Sequence, residues 1–391
     1  MKMDNIWLVV IISILLTLTL LFCFTSCTPN NSELIENTYE LTNNFEEIHI
    51  STDTTNVTFL PSTDGNARVV CYERARAIHT VISDNNTLSI EQTDTRTWYQ
   101  KLFDISFKTS SVTIYLPNSE YTSLLIETDT GDIDIPDDFT FTETINIKGS
   151  TGNVTCNASA NETVKIDIDT GKLVMRNASA KKYELDISTG YTNLYRVECE
   201  NLVSVGSTGD ITTDNITATG NIKIERDTGD ITIKDMTAQQ CELIVTTGRV
   251  AISNLTCESL TSIGDTGSMT ATGIEAAENI SITRSTGDVS LNNATCNNLI
   301  SVADTGKLTM ENVIAADKFS IERTTGDVEL IDCDANELYI HTSTGRVNGN
   351  LLSDKIFTIT SDTGKIDVPK STSGGACEIT TSTGNIKITI G

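Results

Sequence analysis

No basic stripe runs through this sequence: 27 Lys and Arg stand against 53 Asp and Glu, a formal net charge of −26. A nucleic-acid surface needs clustered cations for the phosphates, so that class of partner is excluded. Histidine is scarce. His49, His79 and His341 are the whole complement, and none sits at metal-ligand spacing. A nucleophile elbow and a phosphate loop are both missing, so the motifs point to no enzyme. Helical periodicity is absent, and no Pro-rich or Ser-rich linker divides the chain. The acidity itself reads as solubility, because self-repulsion keeps a long surface of exposed strands from associating.

Large side chains are also few and unevenly spread. Ten aromatics lie between Tyr39 and Tyr121, but only eight lie from 126 to 391. A narrow solenoid has little room for big rings, so the shift near Leu125 separates two kinds of interior joined by one continuous sheet.

What the sequence does have is a repeat. Fourteen Thr-Gly pairs place glycines at 131, 152, 171, 190, 209, 229, 248, 267, 287, 306, 326, 345, 364 and 384, a mean period of about 19.5 residues. Periods near twenty mark a solenoid with one coil per repeat. Two and four residues past each Gly come apolar strand positions, such as Ile231 and Ile233 or Val328 and Leu330. Asn or Asp follows at six (Asn177, Asn215, Asp235, Asn254, Asn293, Asn312, Asp332), where a tight corner favours left-handed backbone. A small residue comes at nine, and a second alternating run leads to the next Thr-Gly. The reading is an all-β parallel β-solenoid of about fourteen coils, residues 126–391, behind a β-strand head at 28–125. At about 4.8 Å per rung it makes a rod roughly 65 Å long. The invariant Thr stacks into one column; an ice-binding face would want two.

Several residues are candidates for chemistry. Asp flanks many corners, but the residues after Gly alternate in sign (Asp288, Lys307, Asp327, Arg346), which sets register rather than converging carboxylates on calcium. The exception is Asp210 above Asp230, with Asp227 nearby, the one candidate site for Ca²⁺; no other cofactor is implied. Arg226, Arg284 and Arg323 each follow a coil with Gly206, Gly264 or Ala303 in their place, leaving space for a guanidinium to pack and form a salt bridge. Cys199, Cys257 and Cys296 share a coil position without occupying adjacent rungs, beyond disulfide reach, and read as buried free thiols.

Residues 1–27 form a leader. One Lys precedes an apolar run from Ile6 to about Phe24 that ends in "FTSC". A small residue before Cys27 resembles a bacterial lipobox, with Cys27 lipidated; the alternative is an uncleaved membrane anchor. Either puts the remainder outside the cytoplasmic membrane. At the other end Ile386, Ile388 and Ile390 alternate to the last residues, so an open edge is expected there that self-associates tail to tail or takes a partner's strand.

Head and repeats together resemble the bacterial "putative adhesin" family, domain of unknown function 4097. "NTLSIEQ", "VTIYLP" followed by "LLIETDTGDIDI", and the recurring "STGDI", "STGNV" and "TTGRV" turns carry the likeness, over roughly residues 40–391. The resemblance implies a right-handed β-helix on the cell envelope and brings no catalytic residues. The functional expectation is a non-catalytic, adhesin-like rod that meets a cell-wall component, a protein or a glycan. An accessory or sensor role in envelope stress is the alternative, and a carbohydrate-active enzyme ranks below both.

Overall fold

The computed structural model describes residues 34–97, 109–117 and 119–391. The leader and Cys27 lie outside these residues. The described chain is all β, stacked as parallel coils in a solenoid of about 13 turns. Fourteen corners bound thirteen intervals, so the repeat count and the turn count agree. Among the described residues no helix is long and apolar enough to cross a membrane.

One coil shows how sequence becomes shape. In Thr163–Arg176, Val164, Ile166 and Ile168 point inward, the chain turns at Thr170-Gly171, and Leu173 and Met175 point inward on a second face. At Asn177 the backbone turns again with φ 55°, and buried Ala178 and Ala180 line a short third face. The next coil repeats the pattern in register, Ile166 on Leu185, Thr170 on Thr189 and Gly171 on Gly190. Each apolar side chain therefore meets its own equivalent one rung away. All seven expected corner Asn and Asp residues have φ between 48° and 61°. Gly273 fills that place in its coil, and Arg196 holds it at φ 52° with a side chain that gains nothing from left-handed backbone.

The solenoid starts inside the head. The first eight strands are β1 (Ile35–Leu41), β2 (Glu47–Pro61), β3 (Ala67–Glu73), β4 (Ala77–Asp84), β5 (Thr87–Asp94), β6 (Ser110–Leu116), β7 (Tyr121–Thr130) and β8 (Ile133–Ile135). β2 is already a rung: it pairs in parallel with β7 and β8, Thr54 against Thr130 and Val57 against Ile133. On its other side β2 carries β5 and β6, also parallel. Antiparallel pairing then takes over, β4 on β5 and β3 on β6, with β1 outermost on β3. Hairpins cannot continue a coil, so this change of direction caps the stack. Phe45, Tyr121 and Phe141 pack in one ring cluster there, and Phe59 meets Phe139 edge-on.

The far end departs from the expected order. Strand Gly375–Thr383 pairs with Val328–Thr344 on one side and Lys355–Ser361 on the other; Ile386–Ile390 likewise lies between Val347–Leu351 and Ile366–Asp367. The coil that comes last in sequence is thus inserted before the coil that precedes it. Ile386 and Ile388 are buried, and the terminal rung in space is 355–367, where Ile356 and Ile366 are 49% and 42% exposed. The expected open edge at Ile386–Ile390 is corrected accordingly. The cause is local: after Gly345 the corner Asn or Asp no longer recurs, its place being taken by Leu351 and Lys370, and the segment from Val368 to Gly374, with Pro369, lets the chain double back.

Arg196 gives a direct test of the corner rule. Arg196→Gly removes the left-handed penalty and is expected to stabilise the protein by about 1 kcal/mol, read as a higher melting temperature. A lower melting temperature would show that the Arg196 side chain contributes more than its backbone costs.

Candidate functional site: the corner column

The stacked Thr-Gly corners form a continuous exposed column along the rod. Along most of the column the Gly N–H donates to the Thr carbonyl of the next rung, as from Gly229 to Thr247 and Gly306 to Thr325, both 3.0 Å. Rungs approach so closely here that a Cβ on Gly190 would lie 1.7 Å from the Gly171 oxygen. The residue after Gly forms a second ladder. Its side-chain oxygen accepts the N–H of the equivalent residue one rung on: Asp132 from Asn153, Asp210 from Asp230, Asp230 from Arg249, Asp288 from Lys307 and Asp327 from Arg346, each at 2.8 Å. That is why Asp so often follows the Thr-Gly pair.

The metal candidates belong to this ladder. Asp210 commits Oδ1 to the Asp230 N–H; Asp230 commits Oδ1 to the Arg249 N–H and Oδ2 to its guanidinium at 2.7 Å. Burial alone would raise the Asp230 pKa, but the bonds and charge of Arg249 outweigh it and hold the carboxyl below its ordinary range. Asp227 is exposed. The structure does not gather Asp210, Asp227 and Asp230 into a ligand set, because the carboxylates line up along the rod. The alternating column is also more specific than expected: Arg346 pairs with Asp327, whereas the Lys307 ammonium reaches Glu329 on the neighbouring strand.

Behind the corner lie the three arginines, each almost fully buried. The small residue one rung back makes the space, as anticipated: Arg226 stacks on Gly206, Arg284 on Gly264 and Arg323 on Ala303. Their partners correct the salt-bridge expectation. Nη2 donates to Ser204, Ser262 or Ser301 at 3.0, 2.8 and 2.8 Å, and Nη1 donates to the carbonyl of the preceding residue in all three. Burial brings each guanidinium down to about 10. The arrangement is a repeated internal clamp in which a hydroxyl, not a carboxylate, accepts the charge.

The column opens into two shallow grooves. One, about 520 Å³, runs along Thr305, Thr325, Thr344 and Thr383 beside Lys307, Asp327 and Arg346. The other, about 460 Å³, lies nearer the head, where Asp53, Glu127, Asp129, Asp167 and Asp169 surround Lys148. The rod's corner surface therefore passes from an acidic stretch to one of mixed charge.

The head holds a constellation that the sequence reading missed. Cys71 and Glu73 alternate on one face of β3, and His79 enters from β4; their ligand atoms all lie within 4.8 Å of one another, and all three residues are buried. His79 Nδ1 is 2.8 Å from Glu73 Oε2, and Nε2 is 3.1 Å from Thr55 Oγ1. The spacing Cys-x-Glu followed by His six residues on matches no metal motif, and only the β3–β4 reversal brings the groups together. The other described cysteines, Cys199, Cys257 and Cys296 among them, are free and buried as expected.

The sequence profile that matches covers residues 45–235 and 275–391 and is that of Toastrack DUF4097. The chain belongs to the Toastrack family. Solved structures similar to this Toastrack chain include a "putative adhesin" from Bacteroides fragilis NCTC 9343, at 16% identity over 74% of this chain and 97% of that one, TM-score 0.27. A "putative adhesin" from Parabacteroides distasonis ATCC 8503 matches at 12% identity over 75% and 98%, and a "putative cell adhesion protein" from Clostridium sporogenes ATCC 15579 at 11% over 52% and 99%, each with TM-score 0.27. No curated protein matches the Toastrack chain.

Two substitutions at Asp230 separate the ladder from the ion pair. Asp230→Asn keeps an oxygen for the Arg249 N–H and loses only an exposed pair, costing under about 1 kcal/mol. Asp230→Ala also strips that N–H of its acceptor and is expected to cost about 1–2 kcal/mol. Equal thermal shifts for the two would show that the ion pair, not the backbone ladder, is what Asp230 contributes.

Proposed function

We propose that this Toastrack rod is a non-catalytic, adhesin-like structural and interaction protein of the cell envelope. The observation that carries the reading is the uniformity of the corner column. The same Thr and Gly recur on successive rungs, followed on most of them by a charged residue of one sign or the other, so the surface presents one backbone pattern many times, and among the described residues its grooves are shallow. Such a surface fits a ligand that is itself repetitive, a cell-wall glycan or an extended envelope protein, held by many weak polar contacts that add along its length. Residues 1–27 supply the anchor in this reading, through lipid on Cys27 or an N-terminal span.

Two experiments test the reading. Deleting residues 249–287 removes two whole coils, rejoining Gly248 to Asp288, and takes Arg284 with its partner Ser262. Cosedimentation of the full-length protein with purified cell-wall sacculi, or capture of delipidated envelope extract, is expected to weaken a few-fold on this deletion. Complete loss would point to a single site inside the deleted coils, and no binding by the intact protein to either material would remove the proposal. For the anchor, mass spectrometry of the N-terminal peptide is expected to show diacylglycerol on Cys27; an intact Met1 peptide in the membrane fraction would replace lipid with a span.

A further inference from the structure

We propose that Cys71, Glu73 and His79 form a buried binding site for one divalent ion of the zinc class at the capped end of the rod. The donor set is one sulfur, one imidazole nitrogen and one carboxylate oxygen. That combination suits a borderline ion and excludes calcium and magnesium, which take oxygen alone.

The surroundings resemble those of a prepared ligand set. Glu73 receives a hydrogen bond from Asn37 Nδ2 on Oε1 and one from the His79 backbone N–H on Oε2, so the carboxylate is oriented. Tyr39 donates to the His79 carbonyl at 3.2 Å and holds the start of β4. Thr55 fixes the far side of the imidazole. Such partners around the ligands set their geometry and their basicity. Both Asn37 and Tyr39 come from β1, which pairs with β3 at the outer edge of the cap.

Burial gives the second argument. Cys71, Glu73 and His79 are each no more than 2% exposed, and polar groups of this kind are costly to keep in a cap that apolar side chains could fill. A divalent ion held by all three offsets that cost. On binding, Cys71 gives up its thiol proton to solvent, Nδ1 of the imidazole faces the ion with the ring proton on Nε2, and the Thr55 oxygen accepts from it. One ion of charge +2 then meets one thiolate and one carboxylate, and the site closes neutral. Tetrahedral ligands about 2.0 Å from zinc sit roughly 3.3 Å apart. The 2.8 Å between Nδ1 and Oε2 therefore has to open by about half an ångström.

The order hydroxyl, imidazole, carboxylate also occurs in nucleophilic catalysis. Thr55 is fully buried between the first rung and the cap, so no substrate reaches its oxygen, and the metal reading stands alone.

The test uses the full chain, stripped with chelator and titrated with zinc alone. Native mass spectrometry is expected to show one ion per chain, with a melting temperature several degrees higher. Calorimetry in two buffers of different ionisation enthalpy is expected to show about one proton released. Cobalt(II) in place of zinc should give a near-ultraviolet thiolate charge-transfer band, a signature the acidic surface cannot mimic. Cys71→Ser is expected to abolish that band and weaken zinc binding at least 100-fold, and His79→Gln, which keeps a polar side chain in the network, should do the same for affinity. Cys257→Ser serves as the control and should change neither. Zinc binding that survives Cys71→Ser, or wild-type protein that takes up no zinc and shows no thiolate band, would overturn the proposal and leave the cluster as a hydrogen-bonded plug.

Discussion

Everything in this rod depends on how closely successive rungs approach at the Thr-Gly corner. The carbonyl of one glycine lies where the next glycine's Cβ would stand, within 1.7–2.2 Å from Gly152 through Gly345. No other residue fits without pushing the rungs apart. With the glycines stacked, the Thr carbonyls fall in line with the next Gly N–H, and the register of both flanking strands is fixed. A one-residue slip would turn every inward Ile and Val outward. The corner is therefore the reference point from which the apolar lining, the Asp ladder and the arginine clamps all take their positions.

Stacking like on like has a cost at charged positions, and the sequence manages it in two ways. Outside, a carboxylate such as Asp327 is used twice, once for a backbone N–H and once for the Arg346 above it. Inside, charge is made tolerable by hydroxyls. Each buried arginine reaches back one rung to a serine, over a residue small enough to let it pass. Bonds to a charged group are worth more than neutral ones, which offsets part of the burial of the guanidinium. The clamp ties a residue on one rung to a residue on the rung before it, so it adds side-chain hydrogen bonds to the backbone ladder between neighbouring coils.

How much of this was legible in the sequence depends on the range of the interaction. Corner residues read correctly because their cause is local: Asn177 and Asp332 take left-handed backbone for reasons contained in one turn. Arg196 escaped because its type carries no such signal. The space around Arg226, Arg284 and Arg323 was legible from the small residue one period earlier, but the acceptor was not, since Ser204 could be named only once the inward faces were known. The reversed order of the last two coils was hidden for a related reason. Both segments keep the strand pattern and the Thr-Gly, and only the intervening loop decides which lies on which. The Cys71, Glu73 and His79 cluster was the least accessible, because it forms across a hairpin that spans the end of the rod and follows no repeat.

That cluster marks the point where the corner rule stops applying. At the first rung the pair Thr54-Thr55 stands in register with Thr130-Gly131, so a threonine occupies the place of glycine. Among the described residues no further Thr-Gly corner lies beyond it, so no glycine carbonyl takes the place of its side chain. β5 and β6 cover the two faces, and the Gln92 side chain accepts the Asp53 and Thr54 N–H groups. Freed from backbone contact, Thr55 can carry a side chain, and its hydroxyl meets His79. The end of a solenoid is the one place where its interior is not already filled by a copy of itself. Polar groups that the repeat would exclude can gather there, and this is where the chain has placed a thiol, a carboxylate and an imidazole within reach of one another.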